Sequence, residues 1–293
     1  MENSLTDPPH RQHRKGVRRM YSRAYVEITN ICNMNCSFCH GHDRAPRQMT
    51  EAEYGRVLEQ LAGKSQYLYH HLMGEPLVHP LLPRFLQMAR QAGFRPMITT
   101  NGTLLGRLGD TLLTQDLHKV NISLHSFEGD RQDAHERYIQ EAAAFARSAN
   151  RLGIIVSFRL WNNGCDEGRN HTALQSLKAA FPEPWIENTR GCRIRDGVFL
   201  EWGDRFAWPD QNAPDGGDQV FCHGLKDHFG ILCDGTVVPC CLDSNGMIPL
   251  GNVFREELAD ILNSPRATAI ANGFRHRKAV EDLCRRCGYA RKF

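Results

Sequence analysis

Three cysteines, Cys32, Cys36 and Cys39, stand in a C-x3-C-x2-C run directly after a short apolar stretch. This spacing constrains the chain more than its composition does, because three side chains held on one loop must share one task. A disulfide framework is the weaker reading. The chain has eleven cysteines, an odd number, and nothing in it directs the protein to an oxidising compartment. The opening residues are polar, with Arg11, Arg14, Lys15, Arg18 and Arg19 clustered, and they lack the continuous apolar core of a secretory signal. No later run has the length of a membrane span. A cytoplasmic protein with reduced thiols and no membrane partner is expected, and clustered reduced thiols point to metal.

Three thiolates at this spacing can hold three irons of a 4Fe–4S cube and leave the fourth iron open to a small molecule. Zinc is the competing ligand. It favours paired C-x2-C knuckles and closed tetrahedral sites, and His40 is available as a fourth donor.

The rest of the chain sets that loop in an α/β context. Tyr25 to Thr29 reads as a strand. Thr50-Glu51-Ala52-Glu53 is a capping box that opens a helix to about Leu61. Further strands are expected at Tyr67–Leu72, Pro96–Thr100, Lys119–Ser123, Ile154–Leu160 and Val198–Trp202. Helices are expected at Leu81–Ala92, after Leu104, around Arg131–Arg151 and at Asn170–Phe181. Alternation of this kind marks about six βα units around a parallel sheet. The expected organisation is a disordered basic tail at 1–22, a main domain at 23–210 and a small second domain at 218–293, with Trp208–Gly217 as linker. In the second domain Ile231–Val238 reads as a hairpin turning at Asp234-Gly235. A later helix is capped by Ser264 with Pro265 at its first position.

The text Ile31-Cys32-Asn33-Met34-Asn35-Cys36-Ser37-Phe38-Cys39 resembles the cysteine loop of the radical S-adenosylmethionine superfamily, including the aromatic Phe38 before the last cysteine. The resemblance implies a partial (β/α)6 barrel. It also implies a cluster on Cys32, Cys36 and Cys39 whose open iron is chelated by S-adenosylmethionine, and reductive cleavage of that cofactor to a 5′-deoxyadenosyl radical. Gly74-Glu75-Pro76 resembles the family motif around the methionine amino group, with Met73 where a glycine is usual. Thr99-Thr100-Asn101-Gly102 and Asn121-Ile122-Ser123 fall where ribose or carboxylate contacts are expected. By the same resemblance Phe38, Gly74, Glu75, Pro76, Thr100, Asn101, Asn121 and Ser123 are cofactor-binding candidates. Arg159 is the candidate partner of the cofactor carboxylate.

A second cysteine group closes the chain. Cys222, Gly235 and Cys240 form C-x12-G-x4-C, and Cys284-Arg285-Arg286-Cys287 is a terminal knuckle. Spacing alone admits zinc or a closed 4Fe–4S cluster. The layout is similar to the twitch form of the SPASM domain, which implies one auxiliary cluster on Cys222, Cys240, Cys284 and Cys287, with Cys241 as an alternative to Cys240. Gly246 to Leu283 contains no cysteine, so a second auxiliary cluster is not expected. Cys165, Cys192, Cys233 and Cys241 remain. Free cysteines usually pack as small apolar groups, and Cys241 is the candidate hydrogen-atom donor because of its neighbour.

The resemblance implies an oxidoreductase or epimerase that takes a small molecule or a short peptide, with a reduced flavodoxin or ferredoxin-type protein as electron donor. Peptide maturation is the alternative within the family, and the absence of a leader-binding domain before the first strand weighs towards the smaller substrate. His70, His71, His79 and His125 are possible proton donors or acceptors, and Trp161, Trp202 and Trp208 a possible substrate wall. A zinc-stabilised nucleic-acid-binding protein would need basic stripes along its body, whereas the basic residues gather in the tail and net charge is only +3. A non-enzymatic iron–sulfur carrier would make the motifs after the cysteine loop coincidental.

Overall fold

The computed structural model describes residues 21–128 and 132–292. The basic cluster from Arg11 to Arg19 lies outside them. The first strand, β1 (Tyr21–Val26), begins and ends earlier than its sequence signal suggests, and it includes Tyr21 and Ser22 of the expected tail. It leads into the cysteine loop and then α1 (Glu51–Leu61), where the capping box forms as expected. Next come β2 (Ser65–Tyr69), α2 (Leu82–Gln91), β3 (Arg95–Thr100), α3 (Leu105–Leu113) and β4 (Lys119–Ser123). They are followed by α4 (Gln132–Arg151), β5 (Ile155–Asn163) and α5 (Arg169–Ala180). After α5 the chain makes a hairpin that the sequence reading missed, β6 (Ile186–Asn188) and β7 (Gly191–Arg195), before β8 (Val198–Asp204).

Strands β1, β2, β3, β4, β5 and β8 pair in parallel, in that order. Five helices connect them, so the sixth helix of a full set of βα units is absent among the described residues. The outer face of these strands is continuous hydrocarbon, as expected where helices cover a parallel sheet. Ile98, Val120, Val156 and Val198 line up in register and each is fully buried.

The opposite face carries polar and aromatic side chains, and the sheet curls around it. Tyr69 on β2 and Glu201 on β8 are electrostatic neighbours, although four strand steps separate them. A flat sheet at about 4.8 Å per step would hold their backbones roughly 19 Å apart. The curl makes this the inner face of a partial barrel.

The C-terminal part extends the same sheet. The hairpin of β9 (His228–Ile231) and β10 (Thr236–Val238) lays β9 parallel to β1, with Arg23 opposite His228 and Tyr25 opposite Gly230. Gly235 turns it with φ of +86°. Strand β11 (Gly251–Asn252) ends that edge. The short helices α6 (Leu258–Leu262), α7 (Pro265–Arg275) and α8 (Asp282–Arg285) complete the chain. Helix α7 has Ser264 as its cap, accepting from the Ala267 amide, and Pro265 at its start. No helix among the described residues is long and apolar enough to cross a membrane.

Candidate active site

The cysteine loop leaves β1 at the edge of the inner face. Cys32 and Cys39 are exposed and Cys36 half-buried. The Met34 amide donates to Cys32 Sγ (3.4 Å), the Gly41 amide to Cys39 Sγ (3.4 Å), and Asn101 Nδ2 approaches Cys32 Sγ (3.9 Å). Donors of this kind stabilise sulfur carrying negative charge. Burial, with Glu128 and the other two cysteines nearby, pushes the Cys36 thiol up to about 11. Among the described residues no three His, Cys, Asp or Glu side chains converge on one ion-sized point. The fit to a cluster therefore rests on the thiols' order and surroundings.

The Gly74-Glu75-Pro76 segment supports this loop from beneath. Gly74 has φ of +73°, and a Cβ there would stand 2.4 Å from the Thr29 carbonyl oxygen. Only glycine lets the two backbones meet. The Glu75 amide then donates to the Ile31 carbonyl (2.9 Å). The Glu75 side chain is buried. It accepts from Thr100 Oγ1 (2.8 Å), the Asn101 amide (2.7 Å) and the Leu77 amide (3.0 Å). Glu75 and Thr100 thus brace the loop through these bonds. Pro76 is buried and starts a 3₁₀ turn. Met73 gives its amide to Glu27 (3.1 Å).

Asn101 joins the two parts, bonding Asn33 Oδ1 (2.9 Å) beside the cysteines. Asn121 donates to Ile98 O and Thr99 Oγ1, while its Oδ1 is buried without a partner. Ser123 lies opposite Arg159 in register.

Arg159 is already engaged. Its Nε lies 3.4 Å from Glu201 Oε2, and its guanidinium covers the Trp161 ring at 4.6 Å, so a cofactor carboxylate would share it with Glu201. His125 Nδ1 donates to the Arg159 carbonyl (3.0 Å), and the ring packs on Phe38 with centroids 4.8 Å apart. Burial lowers His125 to about 4. Trp208 donates to the Phe38 carbonyl (3.0 Å) and stacks near His40, which places it beside the cysteine loop. Trp202 packs into the hydrophobic core instead. His70 and His79 are also core residues: His70 bonds Tyr54 (2.6 Å) and His79 bonds the Met49 carbonyl (3.0 Å). His71 is different, standing edge-on to Tyr25 and Tyr69 with its Nδ1 unpartnered.

Several inner-face residues escaped the sequence reading: Arg23, Tyr25, Tyr69, Lys119, Ser157 and Glu201. Their signal was present as alternation. Lys119-Val120-Asn121-Ile122-Ser123 and Val156-Ser157-Phe158-Arg159 place polar and apolar residues on opposite faces of their strands. Glu27 was missed as well. It is fully buried and holds Arg44 through two 2.7 Å bonds.

At the other end, Cys222, Cys240, Cys284 and Cys287 line a single cavity together with Pro209, Ile248, Phe274 and Leu283. Gly224 permits the close turn, since a Cβ there would meet Pro239 O at 2.9 Å. Its amide donates to Cys222 Sγ (3.3 Å). Burial and mutual repulsion push the Cys222 thiol up to about 11 and those of Cys240 and Cys284 further. Asp243 also borders the cavity, but its carboxylate is occupied by the Met247 and Ile248 amides. Four thiols in an apolar cradle fit an iron–sulfur cluster, whose positive irons would reverse that electrostatic cost.

Cys241 does not line this cavity. It packs with Tyr25 and Tyr69 in the small cluster facing the sheet, and Arg23 and Arg159 are among its electrostatic neighbours. Cys233 is buried next to Arg44, Cys192 is buried on β7, and Cys165 is exposed after β5.

A family model described as the radical SAM superfamily matches residues 26–162, and one described as an iron–sulfur cluster-binding domain (SPASM) matches residues 222–288. Among curated proteins, the GTP 3′,8-cyclase of Chlorobaculum tepidum is 33% identical over 36% of this chain and 33% of its own length. A probable GTP 3′,8-cyclase of Metallosphaera sedula is 34% identical over 36% of this chain and 35% of its own. The match thus spans about a third of these relatives. Among solved structures, BtrN in complex with AdoMet and 2-DOIA is 17% identical with a TM-score of 0.55, covering 92% of this chain and 93% of that one. Streptococcus suis SuiB bound to precursor peptide SuiA is 14% identical with a TM-score of 0.54, covering 92% and 71%.

Proposed function

As a radical SAM enzyme with a C-terminal iron–sulfur cluster-binding domain, the chain, we propose, oxidises or epimerises a small molecule or short peptide held on the inner face of its sheet. In this reading Cys32, Cys36 and Cys39 hold the cluster that binds S-adenosylmethionine. Cys222, Cys240, Cys284 and Cys287 hold one auxiliary cluster. When bound, these groups supply a 5′-deoxyadenosyl radical for hydrogen abstraction and an acceptor for the remaining electron, with a reduced flavodoxin or ferredoxin-type protein as electron source.

The observation that carries the reading is the arrangement of the C-terminal cysteines: Cys222, Cys240, Cys284 and Cys287 face one apolar cavity, while Cys241 faces the inner face beside Tyr25. The chain's own residues divide the remaining work. Gly74, Glu75 and Asn101 fix the cysteine loop, while Phe38, His125 and Trp161 form an aromatic wall beside it. Arg159 and Glu201 offer charge to a bound carboxylate and amine. In the epimerisation branch of this reading Cys241, beside Tyr25 on the inner face, would return a hydrogen atom to the substrate radical, and its thiyl would be restored by a proton and an electron from the reduced flavodoxin or ferredoxin-type donor.

The test is iron content after anaerobic reconstitution. Wild type should hold about eight irons and the Cys32/Cys36/Cys39→Ala variant about four, as two 4Fe–4S cubes require. Wild type alone should release 5′-deoxyadenosine when reduced. About four irons in wild type and almost none in the variant would remove the auxiliary cluster and the electron acceptor with it.

A further inference from the structure

We propose that Arg23 and Lys119 form an anion-binding subsite on the inner face, and that the substrate held there carries a phosphate or carboxylate group. The inference deepens the proposed function, whose substrate site it describes. It starts from a charge imbalance. Arg23, Lys119 and Arg159 occupy neighbouring positions on this face, since the Lys119 ammonium has both guanidinium groups among its electrostatic neighbours. Among the described residues, Glu201 is the one carboxylate paired with them. It lies 3.5 Å from Lys119 Nζ and 3.4 Å from Arg159 Nε, and accepts a shorter bond from Ser157 (2.7 Å).

One carboxylate cannot neutralise three cations. Arg23 has no carboxylate within ion-pair distance among the described residues; its neighbours are Tyr25, the Tyr69 hydroxyl and Cys241. Burial, together with repulsion from Arg159 and Arg23, works against the charge on Lys119 and outweighs the help of Glu201. Lys119, a partly buried cation in this state, gains strongly from a bound anion, because a charge-assisted bond replaces lost hydration.

Two further orphans surround the same spot. His228 stands opposite Arg23 across the β1–β9 pairing, edge-on to Tyr25 with centroids 5.3 Å apart. His71 meets the other side of Tyr25 at 5.5 Å. Both have a buried Nδ1 without a hydrogen-bond partner. Burial and the adjacent guanidinium groups keep both rings neutral, so they are polar groups awaiting a partner and add no positive charge. Cys241 shares this neighbourhood with Arg23. An anionic group held by Arg23 and Lys119 would anchor the substrate beside the thiol.

Isothermal titration of the reconstituted full chain with inorganic pyrophosphate and with succinate tests the subsite and separates its two ligand chemistries. Saturable binding of either probe at one site per chain is expected, stronger for pyrophosphate if the natural group is a phosphate and for succinate if it is a carboxylate. Arg23→Gln and Lys119→Gln should each weaken binding about tenfold, and Arg23→Lys should retain most of it. Arg107→Gln, on the exposed side of α3, should bind as wild type does. No saturable binding of either probe, or binding untouched by both neutralising variants, overturns the proposal. The radical chemistry fails separately: a chain that binds pyrophosphate yet releases no 5′-deoxyadenosine retains the subsite and loses only the reaction.

Discussion

At the scale of single residues, Gly74 and Glu75 show how a short motif acts. Gly74→Ala would force a Cβ to within 2.4 Å of the Thr29 carbonyl at a φ of +73°, which the backbone can relieve only by moving the cysteine loop. Iron content should fall from about eight to about four while the auxiliary site still loads; a full complement in the variant would refute the support role. Glu75 makes a pH prediction. Burial pushes its carboxyl up from an ordinary 4.5 to about 7 against the pull of three donors. A group whose folded pKa is raised contributes stability that is complete below the unfolded value and lost as pH rises through the folded one. Stability should therefore decline by up to about 3 kcal/mol between roughly pH 5 and pH 8. Glu75→Gln should flatten that slope in thermal unfolding; an equal slope in the variant would assign it elsewhere. The motif itself was legible in the sequence. The direction in which Glu75 points was not, because that depends on donors more than twenty residues away in Thr100 and Asn101.

At the scale of elements, local signals carried furthest where a cap or a turn residue fixed a boundary. The Thr50 box and the Ser264-Pro265 start were legible because each is complete within four residues. Thr50→Ala should cost about 1 kcal/mol of stability and leave iron content unchanged, as measured by chemical denaturation; a loss of iron would show that α1 also holds the cysteine loop in place. The hairpin of β6 and β7 left no comparable signal. All three residues of β6 are exposed, so no apolar alternation marks it, and its pairing with β7 continues a sheet edge set by β8. The start of β1 was misplaced for a related reason. Tyr21 and Arg23 follow a polar run in sequence, and they become strand because β2 on one side and the distant β9 on the other complete their hydrogen bonds.

The whole molecule is joined where sequence spacing gives least warning. Glu27, directly after β1, accepts from Arg44 twice, from the Met73 amide and from the Cys233 amide (3.2 Å). Arg44 also donates to the Ser244 carbonyl (2.9 Å), and the Asp43 amide bonds Asn245 (2.8 Å). One buried carboxylate thus ties the return of the cysteine loop to the segment before β10 and to the turn that follows β2. Pairing Glu27 with a residue seventeen positions on, and with another more than two hundred on, cannot be read from any periodicity. Arg44→Met would leave Glu27 buried and uncompensated, and breaking a buried pair in this way costs about 3–5 kcal/mol. Because every acceptor bond of Glu27 would loosen together, amide exchange at both Met73 and Cys233 should accelerate in the variant. The double variant Glu27→Gln/Arg44→Met should recover part of the stability, since it removes the charge along with its partner. If exchange rises at Met73 alone, the Glu27 contact to Cys233 does not hold the C-terminal part against the barrel. The two cysteine groups would then be aligned by the β1–β9 pairing and the Asp43–Asn245 contact.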